Sequence, residues 1–347
     1  MSLSSSSPLP PTPELDSNGI FSDEPLREAR EQALRGDWQA ARHVVEDAGR
    51  DWELRGWRIG RLGLAAAEDD GWLGAWLRAE PADPTAVLLQ AGTMIRRAVQ
   101  ARGIASSART TEEQFQGFHT NMQAAAPVLR RAMRLAGSDD PTPWAEMMRT
   151  MFADQQTREA SFDEVYAEAQ RRDPYHFEIH LMAVQLRLDK WFGSHEQSFA
   201  TAREIAAAAP AGSGVTLLPL YTHLEYAKRE FHWDVTGDVP KAACEAYLRR
   251  PEVQDEVDRA VAKWRAGTPQ SVLVPGWLQW LALYYTLAGR REQAKAVFDE
   301  IGPRVCPRHD WAYFWDTAQT GYLTAWRWAN GGRRPVPGTE LASTRSG

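Results

Sequence analysis

His176 and His180 stand four residues apart in a stretch that the 3.6-residue period reads as a helix beginning after Asp173-Pro174. On such a helix both imidazoles fall on one face, a spacing able to hold a metal ion. Glu178, between them, is not in the glutamate place of an HExxH zinc motif, and a third ligand would have to come from His195, His223 or Glu225. The plainer reading is two hydrogen-bonded or solvated histidines at an ordinary helix start, so no metal and no cofactor is assigned. A second polar cluster gathers His223, Glu225 and Tyr226 with Lys228, Arg229, Glu230, His232 and Asp234. Facing a cavity, it would supply general acid and base groups. Facing solvent, it is the outer side of an amphipathic helix and its loop. The acidic pairs Asp69-Asp70 and Asp139-Asp140 invite a magnesium site. Each lies at a predicted helix end, beside Gly71 or Pro141, where aspartate is turn chemistry first. No GxxxxGK[ST], GxGxxG or GxSxG motif occurs to cradle a phosphate or present a serine. Cys244 and Cys306 are far apart, match no metal-ligand spacing and read as buried reduced thiols. No catalytic residue is assigned.

The other conspicuous side chains are aromatic. Fifteen tryptophans in 347 residues either fill wide spaces between helices or line a binding groove. Trp191, Trp233, Trp311, Trp315 and Tyr322 therefore join His176, His180, His195, His223 and Glu225 as candidate binding residues. A net charge of -6 carries no basic surplus for nucleic acid or an anionic membrane. The first nineteen residues hold no basic region followed by an apolar run, so they do not read as a secretory signal. No stretch approaches the roughly 18 apolar residues that a membrane span needs. A cytoplasmic protein is expected.

The elements that must position these residues are clearest in 277–302, WLQWLALYYTLAGRREQAKAVFDEIG. Two helices break at Gly289 and set Leu281, Ala282 and Tyr285 against Ala294, Phe298 and Ile301. The same offsets, a turn residue followed by positions five, nine and twelve beyond it, recur at Gly36, Ala67, Thr157 and Gly193. Pro84, Pro174 and Pro210 follow three of these hairpins, where proline stops one helix and pre-sets the next. Between the regular hairpins, helices are predicted over 85–101, 111–136 (bent at Pro127, with Thr110 or Thr111 as N-cap), 216–231, from Pro240 through Leu248, and along Val253, Val257, Val261 and Trp264. Polar loops are expected at 102–111 and 232–238. A last helix, 310–329, carries Trp311, Trp315, Ala318, Tyr322, Trp326 and Ala329 as one stripe. No sustained alternation marks a strand, and the class is all-α. Residues 1–22 and 331–347 are expected to be disordered around a single helical domain, 23–330.

The recurring offsets resemble the tetratricopeptide repeat (TPR), whose period is about 34 residues. The corner Lys190-Trp191-Phe192-Gly193-Ser194 is similar to that of TPR-like bacterial proteins of no assigned function. Trp72 and Phe162 stand where the TPR pattern has alanine, which should widen the helix spacing. The resemblance implies an α-solenoid of about six or seven helix hairpins with an aromatic C-terminal helix. It also implies binding of a protein or peptide along a concave face made by the first helices. No peptide-clamp motif matches, so no site residue carries over. Two other readings stay open: a helical enzyme or small-ligand binder with an aromatic pocket between solenoid and C-terminal helix, and a self-associating structural protein.

Overall fold

The computed structural model describes residues 10–16, 23–103, 110–232 and 239–334, with backbone alone for 239–241. Trp233 and Asp234, residues 104–109 of the expected loop at 102–111, and 335–347 lie outside the described residues. Sixteen α-helices make up nearly all the regular structure among the described residues, so the class is all-α. No helix among them is long and apolar enough to cross a membrane. The backbone divides into two compact units, one of residues 23–218 with 263–273, the other of 1–22, 219–262 and 274–347.

The first unit holds five helix pairs: α1 (Glu24–Leu34) with α2 (Trp38–Glu46), α3 (Trp52–Glu68) with α4 (Gly71–Ala79), α5 (Pro84–Arg102) with α6 (Glu112–Leu135), α7 (Thr142–Thr150) with α8 (Gln155–Arg172), and α9 (Phe177–Gln185) with α10 (His195–Ala208). Their starts follow from local chemistry. Asp23, Asp37, Asp51, Asp83, Asp154 and Ser194 each accept a backbone N–H of the first turn, and Thr111 with Gln114 forms a reciprocal capping box. Each first helix packs on its own partner and also on the first helix of the next pair, α1 on α3, α3 on α5, α5 on α7 and α7 on α9. The second helices α2, α4, α6 and α8 each meet the following first helix, so neighbouring pairs cover one another's apolar flanks.

Two buried ion pairs fix α3 within this stack. Arg58 forks onto Asp23 at 2.9 and 3.1 Å and also donates to the Val44 carbonyl. Arg55 reaches Asp140 at 3.0 Å and Thr85 at 3.1 Å. Asp140 also accepts the Thr142 N–H at 2.9 Å, so this acidic pair serves a turn and an ion pair. Asp69 likewise accepts the Gly71 N–H, while Asp70 pairs with Arg97 at 2.8 Å. The returning segment 263–273 completes the unit. The Lys263 ammonium caps α10 by donating to the Ala206 and Ala207 carbonyls at 2.8 Å each. Trp264 beside it is fully buried.

The second unit contains α11 (Leu218–Phe231, whose first residue belongs to the first unit), α12 (Val239–Leu248), α14 (Val274–Leu287), α15 (Arg291–Ile301) and α16 (Ala318–Ala329); α13 (Pro251–Ala266) contributes to both units. Helices α14 and α15 pack as the predicted hairpin around Gly289, which turns at φ 73°. Leu281, Ala282, Tyr285, Ala294 and Phe298 are all buried. Two expectations are corrected. The chain is not wholly without strands, because Glu14–Leu15 pairs in parallel with Arg304–Val305. That ladder also gives backbone partners to part of a stretch expected to lack structure.

The predicted helix 310–329 is two elements, a 3-10 turn at His309–Tyr313 and then α16. Thr317 caps α16 by accepting the Thr320 N–H at 3.0 Å, which separates the two. Trp311 and Trp315 then fold back over Gly321, where an added Cβ would lie 2.9 Å from the Trp315 ring and 3.1 Å from Trp311 Cβ. The stripe is assembled by a fold-back around a glycine rather than by one helical face.

Candidate functional site

On α3 the residues Glu53, Gly56, Trp57, Gly60, Arg61 and Leu64 recur at steps of three and one, which places them along one side of the helix. The opposite side, Arg58, Ile59, Leu62 and Ala66, is buried. The glycine-bearing side forms one wall of a part-open cavity of about 180 Å³. Arg96 of α5, then Thr142, Ala145, Glu146 and Arg149 of α7, complete much of the lining. His176 and Glu178 at the start of α9, and Leu273 of the returning segment, close it. Every lining residue belongs to the first unit, and all the helices involved are first members of their pairs. The missing side chains at 56 and 60 make the room. A Cβ at Gly56 would touch only Thr142 Cγ2 at 3.8 Å, and one at Gly60 would meet the Arg96 guanidinium at 3.3 Å.

Four of the charges around this cavity, Arg96, Glu146, Arg149 and Glu178, are paired among themselves. Arg96 forks onto Glu146 at 3.2 Å to each oxygen. Arg149 lies 3.4 Å from Glu146 and also binds Glu178. Burial alone would raise the Glu146 carboxyl, but Arg96 and Arg149 overcome that and hold it below its ordinary value. Glu53 behaves the other way. Burial raises its carboxyl despite the hydrogen bonds it accepts from Ser271 Oγ and, at 3.2 Å, from the Phe177 N–H. Arg61 stacks on Trp57, its guanidinium carbon 4.1 Å from the ring centroid.

His176 sits at 2 % exposure with Nε2 3.4 Å from the Trp52 carbonyl. A carbonyl oxygen only accepts, so Nε2 is the donor in that contact. Among the described residues, Nδ1 of that ring, Thr142 Oγ1 and Trp57 Nε1 are buried without a hydrogen-bond partner.

No protein-family model matches the chain, and no curated protein or solved structure does so either.

Of the residues singled out from the sequence, His176 is the one placed in this cavity. It is the residue before α9, in extended backbone at φ -60° and ψ 119°, so its ring does not share a helical face with His180. His180 turns elsewhere. Its Nε2 donates to the Pro174 carbonyl at 2.7 Å, and its Nδ1 accepts from Tyr166 Oη at 2.9 Å, leaving no nitrogen for a metal. Burial pushes the Tyr166 phenol up to about 12 and lowers the His180 imidazole, so both stay neutral near pH 7. Among the described residues, no group of three His, Cys, Asp or Glu side chains is placed to hold a metal ion.

Trp191 is half-buried against Phe152, 4.8 Å between centroids, and its carbonyl accepts from Arg158. At that corner the left-handed residue is Phe192, at φ 67° and 71 % exposed. Gly193 is demanded instead by the Arg187 backbone, which a Cβ would strike. His195 opens α10 as its first residue, half-buried.

His223 and Glu225 lie in the second unit. His223 Nδ1 is 2.6 Å from Tyr247 Oη and its Nε2 is 3.2 Å from Glu256. Glu225 accepts from Tyr221 at 3.2 Å and pairs with the buried Lys228, whose ammonium sits 3.3 Å from the Tyr313 ring centroid. His223, Glu225 and Lys228 are all buried, so these polar groups lie on the helix's packed side, not its solvated face. Trp311 and Tyr322 are fully buried and Trp315 nearly so, which leaves an external partner almost no surface to grip. Ten of the fourteen described tryptophans are buried, so most of them fill space between helices.

Glu53, Trp57, Arg61, Arg96, Glu146, Arg149 and Ser271 were not singled out from the sequence. Glycine twice within a helical pattern at 56 and 60, each costing about 1 kcal/mol against alanine, was the available signal.

The buried carboxyl is open to a direct test. A group whose folded pKa lies above its unfolded value stabilises the fold fully below the unfolded value, and that contribution fades as pH rises through the folded one. Glu53→Gln keeps an oxygen for the Phe177 N–H and offers an N–H to Ser271 Oγ. The variant is expected to melt higher than the native protein near neutral pH. That advantage should disappear below the ordinary carboxyl value of 4.5. Melting curves recorded across that range check it, and equal melting at every pH would contradict it.

Proposed function

We propose that the chain is a TPR-like helical-repeat scaffold that binds a segment of a protein partner along the face made by its first helices. The carrying observation is the cavity's lining. Helices α3, α5, α7 and the start of α9, first members of four successive pairs, each contribute to it. The packing of first helix on first helix supports a solenoid arrangement, and a net charge of -6, with no basic surplus, supports a protein rather than a nucleic-acid partner. Cytoplasmic localisation fits the same reading.

The test is to select binding peptides from a displayed library and measure their affinity for the native protein and for Gly56→Leu. Leucine suits a helix and occupies the cavity, so the variant should fold and bind at least tenfold more weakly. Selected peptides that bind both proteins equally place the interaction elsewhere and end the proposal.

A helical enzyme or small-ligand binder is the second reading. It draws on Glu53, a carboxyl raised by burial in a cleft beside His176. Under that reading Glu53→Gln abolishes turnover of a bound small molecule while leaving its affinity intact.

A further inference from the structure

The two-stranded ladder of the second unit is unevenly built. Its β2 side, Arg304–Val305, is fastened to the helical core. The buried Gln279 of α14 donates to the Cys306 carbonyl at 2.8 Å and accepts the Arg308 N–H at 2.7 Å. Val305 and Pro307 are buried, and Arg308 lies over Trp280 while pairing with Asp310 at 2.8 Å. The β1 side sits on this edge through its backbone. Glu14 donates its N–H to the Pro303 carbonyl at 2.7 Å, and Asp16 donates its own to the Val305 carbonyl at 2.8 Å. Of residues 10–16, Pro13 alone is buried. Glu14 also pairs with Arg304 at 3.2 Å, but these side chains are 62 % and 65 % exposed, and such pairs hold weakly. An edge fixed by the core and filled by a shallowly seated strand is a place where one extended segment can be exchanged for another. The strand now in place shows what fits: proline, then an acidic residue, then an aliphatic one, running parallel to β2.

We propose that the β2 edge is a strand-accepting site for an extended segment of a protein partner with the pattern proline, acidic residue, aliphatic residue, and that segment 10–16 is its built-in competitor. The partner's strand lies parallel to β2 and gives two N–H donors to the Pro303 and Val305 carbonyls. Its carboxylate meets Arg304, and its proline takes the place of Pro13. This site is made of second-unit residues and the cavity of first-unit residues, so neither reading depends on the other.

The probe is the synthetic peptide Pro-Pro-Thr-Pro-Glu-Leu-Asp, the sequence of residues 10–16. It is titrated into the full chain while the Val305 and Cys306 amide signals are followed by NMR. A segment tethered by a short linker competes at an effective concentration on the order of millimolar, so the native chain should take up the peptide only at a large excess. The double variant Glu14→Pro with Asp16→Pro removes both donors of the competitor and leaves the receiving edge untouched. It should bind the peptide roughly tenfold more tightly than the native chain. A peptide carrying the same two proline changes should not bind. Adding Arg304→Glu to the double variant should weaken binding about threefold, and a peptide with the Glu14→Lys change should restore it. The proposal is overturned if the peptide leaves Val305 and Cys306 unmoved in the double variant, or if both proteins bind it equally. It also falls if the proline-bearing peptide binds as well, or if the charge exchange restores nothing. Sedimentation supplies the remaining arm. A native dimer that the double variant dissolves would make the occupant the same segment of a second copy, and would overturn the partner assignment.

Discussion

Arg58→Ala is expected to lower the unfolding free energy by about 3–5 kcal/mol, the usual consequence of removing one partner of a buried ion pair. Arg58 and Asp23 are 7 % and 5 % exposed, and the guanidinium holds both carboxylate oxygens. The same carboxylate caps α1 by accepting the Leu26 N–H at 3.2 Å. Without arginine, that cap carries a buried charge with no counter-ion, and the Val44 carbonyl loses its donor. Natural domains have only about 5–15 kcal/mol in hand, so much of the population would unfold in mild denaturant. Arg58→Lys should recover little, because an ammonium cannot supply the two-pronged geometry. Urea titrations of both variants, and of the double variant with Asp23→Ala, settle it. The double variant should lose less than the sum of the two single losses. A single-variant loss near zero would mean that the pair behaves as a solvated surface contact.

Trp311→Ala carries the second large effect, a loss of about 3–5 kcal/mol from the second unit. The indole is fully buried. Its centroid lies 5.6 Å from Tyr322 edge-on, 5.7 Å from Trp315 and 6.2 Å from Phe298. Truncation removes the centre of that cluster and leaves a void under Gly321. The experiment also separates two roles for this aromatic residue. A core tryptophan lowers the melting temperature and the near-ultraviolet dichroism together. A partner anchor would leave both unchanged and reduce binding alone.

Much of the helical plan was legible because the chain punctuates its helices with residues that have few alternatives. Asp83-Pro84 sets a cap and a first-turn proline, Thr111 with Gln114 makes a capping box, and Gly36 and Gly289 turn at positive φ. The C-terminal helix was misread because its spacing of four and three mimics a single apolar face. Only tertiary contact shows Trp311 and Trp315 arriving over Gly321 from a separate turn. The cavity was illegible for a related reason. Its residues run from Glu53 to Leu273, and no local period links them. His176 was noticed for its spacing to His180, yet its place in the wall follows from standing just outside α9.

The segment 263–273 has a consequence for synthesis. Ten helices of the first unit have left the ribosome once Ala208 emerges, yet the Lys263 ammonium and the Trp264 indole that finish it arrive more than fifty residues later. Until then the carbonyl end of α10 lacks its lysine cap and the space for an indole stands open to water. The nascent chain must hold an incomplete body while it makes α11, α12 and most of α13, an interval in which a holdase chaperone has something to grasp.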